Sequence, residues 1–197
     1  ISALRSGICG TIKKPINNSK GCGGIMRVAP VGLIKSFKPA DAFQFGAELA
    51  AITHGHPSGY LSAGAFAAII AYIRDGFLLK NAVMGALNLL KKYPSHEETS
   101  RALLNAVELS ESAEPTFENI KKMGEGWIGE EALAIAVFSS LHHPNNFEKA
   151  INLAVTHDGD TDSTGAIAGN IMGLYLGKKS IPERWLMNLE MCDFISQ

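Results

Sequence analysis

Cysteine is scarce in this chain of 197 residues. The three present, Cys9, Cys22 and Cys192, are odd in number, widely separated and free of any C-x-x-C spacing. They argue against a disulfide framework and for a reduced, cytoplasmic compartment. Neither sign of charge dominates: 18 basic against 19 acidic residues leave a formal net charge of −1, which argues against nucleic acid or an anionic membrane as the main partner. No segment reads as a membrane span or a signal peptide. Strand-like alternation is almost absent, and so are sequence repeats and low-complexity linkers. What remains, an apolar share of 46% with modest charge, suits one compact core, and residues 1–197 are read as one domain.

The apolar positions recur at helical spacing, so an all-α helical bundle is expected. Helix starts and stops are legible over 39–53, 56–74 (stopped by Asp75-Gly76), 77–92, 96–110, 130–141 and 146–155, with a short turn at 116–120. The polar 96–110 segment keeps its charges on a solvated face. Ile1 to Gly7 reads as the tail of a helix ended by glycine, and because the first residue is not Met the chain is expected to be a C-terminal portion.

The richest chemistry lies in His157-Asp158-Gly159-Asp160-Thr161-Asp162-Ser163-Thr164, three carboxylates on alternate residues followed by two hydroxyls. Such hard oxygens suit Mg²⁺, Mn²⁺ or Ca²⁺, and like charges so close repel unless a cation or water offsets them. The plainer alternative is an acidic turn that caps a helix. An EF-hand is excluded, because counting from Asp158 the places of its Gly and Glu hold Ser163 and Gly169. Downstream, Gly165, Gly169, Gly173 and Gly177 recur every fourth residue, and at about 1 kcal/mol each relative to Ala they imply a compensating close approach by another helix. This segment is expected to be a buried core helix holding the acidic turn at its start.

Two further clusters can join that turn. Ser19-Lys20-Gly21-Cys22-Gly23-Gly24-Ile25-Met26-Arg27 is a glycine-rich loop followed by a cation, a pattern that can cradle a phosphate; a simple turn is the alternative. In Thr53-His54-Gly55-His56-Pro57, His54 is a candidate for substrate and His56 for a helix cap.

At these residues the chain resembles the ADP-ribosylglycohydrolase family, which includes the dinitrogenase reductase-activating glycohydrolases of bacteria. The likeness rests on four motifs in family order. They are Gly23-Gly24-Ile25-Met26-Arg27-Val28-Ala29-Pro30, Thr53-His54-Gly55-His56-Pro57, Gly124-Glu125-Gly126-Trp127-Ile128-Gly129-Glu130-Glu131-Ala132-Leu133 and Gly159-Asp160-Thr161-Asp162-Ser163-Thr164-Gly165-Ala166-Ile167-Ala168-Gly169.

The resemblance implies an all-α orthogonal helical bundle that uses two Mg²⁺ or Mn²⁺ ions to hydrolyse the bond between ADP-ribose and a protein side chain or small acceptor. By that likeness Asp160, Asp162 and Ser163 match metal ligands, with Asp158 just outside the set. Gly23, Gly24, Met26, Arg27 and His54 match substrate-binding positions, and Cys22 stands where many relatives carry Asn. Trp127 is expected to anchor the core and Glu130 to start a helix. No Thr/Ser-Asp-Asp run precedes the glycine-rich loop. The general base and the other metal ligands are therefore expected in an N-terminal part outside this sequence, and the chain alone is expected to be inactive. The rival readings are an Mg²⁺-dependent phosphohydrolase, a non-catalytic ADP-ribose-binding fragment and a purely structural helical module.

Overall fold

A computed structural model describes residue 5 and residues 7–112 and 114–195. In chain order its α-helices are α1 (Ala29–Gly32), α2 (Pro39–Ala51), α3 (Pro57–Arg74), α4 (Leu79–Leu90), α5 (Glu97–Ser112), α6 (Phe117–Lys121), α7 (Gly129–His142), α8 (Phe147–Ala154), α9 (Thr161–Leu176), α10 (Glu183–Leu186) and α11 (Cys192–Ile195). A 3₁₀ turn at Cys22–Gly24 precedes α1, and another at Lys178–Ser180 follows α9. Among the described residues the sole β-type pairing is the isolated antiparallel bridge Gly21↔Ile128. The all-α bundle expected from the sequence is what forms. The expected helix tail at Ile1–Gly7 lies mostly outside the described residues.

Local chemistry explains the boundaries. Pro occupies the first turn of α2 and of α3, where its missing N–H costs nothing. The Asp41 carboxylate accepts the Lys38 N–H at 2.9 Å, and His56 Nδ1 accepts the Ser58 N–H at 3.1 Å, so His56 is the cap of α3. Thr116, Asn146 and Asp160 cap α6, α8 and α9 in the same manner. The segment 116–120, expected to be a turn, is therefore a short capped helix.

Two helices form the axis of the core. α3 is buried on nearly every side and packs on α1, α2, α4, α7 and α9, while α7 packs on α3, α5, α8 and α9. Small residues let α2 and α3 lie close. A Cβ on Gly64 would sit 2.8 Å from the Phe43 carbonyl oxygen, and one on Gly46 would sit 2.7 Å from Ala67 Cβ. At the far end of α3, Arg74 donates to the carbonyls of Gly32 (2.9 Å), Ile34 (2.5 Å) and Phe37 (2.7 Å), which satisfies the chain leaving α1.

Two expectations about packing are overturned. The glycine stripe of α9 is tight only at its start: a Cβ on Gly165 would lie 2.8 Å from Val155 Cγ1, but one on Gly169 would meet nothing within 4 Å, and one on Gly173 only Phe147 Cε2 at 4.0 Å. Helix α9 buries Ser163, Thr164, Ile167, Ala168, Ile171 and Met172, so the half-buried glycines flank that stripe instead of forming it. Trp127 is no core anchor either; it is 57% exposed, because the backbone at 127–129 rather than its side chain makes the local contacts.

Gly64→Ala should therefore lower stability by about 1–3 kcal/mol through overpacking against the Phe43 carbonyl. Gly169→Ala should raise stability by up to about 1 kcal/mol, since it gains helix propensity without a clash. Urea unfolding of both variants checks the pair, and a destabilised Gly169→Ala would mean that its face is covered.

Candidate functional site

The glycine-rich loop and the acidic turn, far apart in sequence, meet at the start of α9. Cys22 Sγ lies 2.7 Å from Asp160 Oδ2, to which it donates its proton. The Ser163 hydroxyl points to the same loop, 3.1 Å from Met26 Sδ and 3.4 Å from Cys22 Sγ. Asp160 also accepts the Ser163 N–H at 3.3 Å, so the capping reading of the turn holds alongside any other role. Asp160, Ser163 and Cys22 are buried, whereas Asp162 reaches out from the first turn of α9 into solvent.

The two carboxylates interact. Burial alone would push Asp160 up, but hydrogen bonds from Cys22, Asp162 and Ser163 outweigh it and hold Asp160 below the ordinary carboxylate range. Asp162 is pushed up by its hydrogen bond and charge contact with Asp160. Burial, followed by the Asp160 contact, raises the Cys22 thiol. Asp158 is exposed and faces a separate small cleft beside Phe117, Lys121, Gly124, Glu125 and His157.

The second cluster forms around His54, whose ring lies over the glycines. Ideal Cβ positions at Gly21, Gly23 and Gly24 fall 3.7, 3.6 and 3.2 Å from it, so larger residues at Gly24 would press on the imidazole. His54 Nδ1 is 2.8 Å from the Thr53 hydroxyl, which accepts from Arg27 Nη2 at 2.7 Å; the same Nη2 donates to the Leu49 carbonyl at 2.9 Å. Burial and the Arg27 charge lower the His54 pKa, which keeps the ring neutral. Gly23, Gly24, Arg27 and His54 thus share one face, while Cys22 and Met26 join that loop to Asp160 and Ser163. The N–H groups of Cys22, Ile25 and Met26 are taken by the carbonyls of Trp127 and Cys22, so those three do not form a phosphate cradle.

A family model described as ADP-ribosylglycohydrolase matches residues 2–197. The chain belongs to the ADP-ribosylglycohydrolase family. Among relatives of this family, the ADP-ribosylhydrolase ARH3 of Mus musculus is 27% identical over 204 residues, covering 87% of this chain and 53% of that protein. The ADP-ribosyl-(dinitrogen reductase) glycohydrolase of Rhodospirillum rubrum is 25% identical over 186 residues, covering 92% and 55%. A solved structure titled ADP-ribosylglycohydrolase-related protein complex superposes with a TM-score of 0.72 at 23% identity, over 92% of this chain and 59% of that one. The chain spans about half the length of the curated relatives it matches. Among the described residues no helix is long and apolar enough to cross a membrane.

Sequence reasoning missed the supports of the site. His157 Nδ1 accepts the Gly159 N–H at 3.1 Å, so its Nε2 carries the proton and contacts Thr164 Oγ1 at 3.0 Å. Thr164 in turn donates to the Ala154 carbonyl at 2.8 Å. Their places on either side of the acidic turn were the available signal. Glu130, expected to start a helix, does so; it is also buried against Lys20 Nζ at 3.0 Å, and Lys20 reaches Glu98 at 3.1 Å. Glu98 accepts from the Ser58 hydroxyl at 2.5 Å.

Burial depresses His157, His54 and His143 below their ordinary value of 6.5. Each binds a proton more readily unfolded than folded, so their contribution is fully present above pH ~6.5 and is lost as pH falls toward the folded values. Melting temperature measured from pH 7.5 to 5 should decline, with a shallower slope for His157→Ala. An equal slope in that variant would remove His157 from the account.

Proposed function

We propose that the protein hydrolyses the bond between ADP-ribose and a protein side chain or small acceptor, with its substrate site where the glycine-rich loop meets the acidic turn. The observation that carries this reading is the meeting itself: Cys22 and Met26, within the loop, touch Asp160 and Ser163 at the start of α9. A loop that carries Arg27, with the His54 ring from the α2–α3 junction packed over its glycines, is thereby joined to a pair of interacting carboxylates, as hydrolysis of a phosphorylated sugar conjugate needs.

The donor chemistry fits Mg²⁺ or Mn²⁺. Two carboxylates two residues apart, with the Ser163 hydroxyl beside them, are hard donors whose mutual repulsion a divalent cation relieves. Asp160, Asp162 and Ser163 would hold one or two such ions, with Asp158 outside the set. Held there, such ions would supply positive charge to orient the ribose hydroxyls and the attacking water.

The chain's own residues bind and orient the rest of the substrate. Gly23, exposed on the loop, lets the diphosphate approach the backbone, Gly24 makes room for the His54 ring beside it, and Arg27 pairs with the diphosphate, exchanging its bonds to Leu49 and Thr53 for stronger ones to phosphate. The Thr53 hydroxyl donates to His54 Nδ1, which leaves Nε2 as an N–H donor for a phosphate or ribose oxygen. Because Asp160 is held ionised by its hydrogen bonds, it keeps its charge at neutral pH. A cytoplasmic setting and an ADP-ribosylated protein or small ADP-ribose conjugate as partner complete the proposal.

Calorimetric titration with ADP-ribose in Mg²⁺ or Mn²⁺ tests it. Arg27→Ala should weaken ADP-ribose binding about tenfold or more, the loss expected for one charge-assisted pair. Asp160→Asn should abolish the divalent dependence. Incubation with an ADP-ribosylated protein should release intact ADP-ribose wherever turnover occurs. AMP or phosphate as the product would instead identify a phosphohydrolase.

A further inference from the structure

The motif from Gly124 to Leu133 has no part in the substrate or metal assignments above, yet its backbone touches both halves of the site. Its segment 127–129 runs beside the residues that lead into the glycine-rich loop: Cys22 N–H donates to the Trp127 carbonyl at 3.0 Å, and Gly129 N–H to the Lys20 carbonyl at 2.8 Å. Its other end holds the acidic turn, where the Asp160 N–H donates to the Glu125 carbonyl at 2.8 Å. Gly159 makes that approach possible, since a Cβ there would lie 1.9 Å from the Glu125 oxygen.

Two successive carboxylates at the start of α7 secure this segment from opposite sides. Glu130 pairs with Lys20 beside the loop. Glu131 turns back on the 124–126 turn, where one oxygen, Oε2, accepts the N–H of Glu125 at 3.1 Å and of Gly126 at 3.2 Å. Gly124 and Gly126 have φ of +108° and +80°, conformations open to glycine and easily left by it. Bare of a side chain, Gly124 also makes room for Glu131, whose Cδ lies 2.2 Å from where its Cβ would be. The turn therefore has no rigidity of its own, and the Glu131 carboxylate supplies it through two charge-assisted bonds.

We propose that Glu131 is a positioning residue. It fixes the Glu125–Gly126 peptide, which fixes Asp160, and so sets the separation of the acidic turn from the glycine-rich loop. Its two hydrogen bonds go to the backbone of the 124–126 turn and not to the loop side chains or the carboxylates of the acidic turn. Its effect on metal binding rests on the reading of Asp160 as a ligand; its effect on the Asp160 backbone does not.

The test compares Glu131→Ala with Glu131→Gln in this chain, reading hydrogen exchange at the amides of Glu125, Gly126 and Asp160, Mn²⁺ affinity by calorimetry, and melting temperature. A glutamine oxygen can accept both N–H groups, so Glu131→Gln should retain slow exchange and Mn²⁺ affinity. Glu131→Ala should speed exchange at all three amides and weaken Mn²⁺ about ten- to a hundredfold, as loss of an outer support of a metal ligand does. Unchanged Asp160 exchange in Glu131→Ala overturns the proposal. So does an equal loss in both variants that follows a fall in melting temperature, because that describes general destabilisation. If the unaltered chain binds no Mn²⁺, the metal reading fails, and the exchange measurements still decide the role of Glu131.

Discussion

The hydrogen bond from the Asp160 N–H to the Glu125 carbonyl joins the acidic turn to the segment that precedes α7, at the end of the packed α7–α9 pair. Its donor is the cap of α9, so the same residue that ends the loop and starts the helix is held by a distant backbone. Because Glu125 continues directly into 127–129, which is bonded to Lys20 and Cys22, this short segment ties the start of α9 to the glycine-rich loop through backbone alone, beside the packing of α9 on α3 and α7. The contact between the Cys22 thiol and the Asp160 carboxylate is then a consequence of backbone placement. Both side chains are short, and each reaches the other only because the peptides behind them are fixed.

Behind the site the core is built for close helix approach. α3 carries Gly59, Gly64 and a series of alanines, and its neighbours come near enough that added carbons at Gly64, or at Gly46 of α2, would collide. Such packing offsets the propensity cost of glycine with dispersion contacts and leaves little freedom for relative motion of α2 and α3. Since Thr53 and His54 follow α2 directly and Pro57 opens α3, the imidazole is delivered from the tightest joint in the bundle. The glycines around it are spaced to receive its ring.

Much of this was readable in the sequence, and for local reasons. Helix ends follow from proline at the first turn, from capping oxygens at Thr116, Asn146 and Asp160, and from Asp75-Gly76, and each signal acts within a few residues of where it is written. The order of four motifs was likewise enough to reach the family. The glycine stripe of α9 misled because a fourth-residue repeat states which side chains are absent on one face but not which neighbour occupies it. Trp127 misled for a related reason: its bulk argues for burial, whereas its backbone is what the fold uses.

The short helices α1, α10 and α11 aside, the sequence by itself determined the longer helices, the hard-oxygen chemistry of the acidic turn and the cation in the glycine-rich loop. These depend on residue type and short spacing. Tertiary structure alone decided that Cys22 meets Asp160 and that Met26 meets Ser163. It also decided that His157 supports Thr164, and that Glu130 and Glu131 face opposite ways, one toward Lys20 and the other toward the 124–126 turn. Contacts of that kind join residues from 5 to 138 positions apart, and their distances are set by how α3, α7 and α9 pack. No local pattern of residues carries that information.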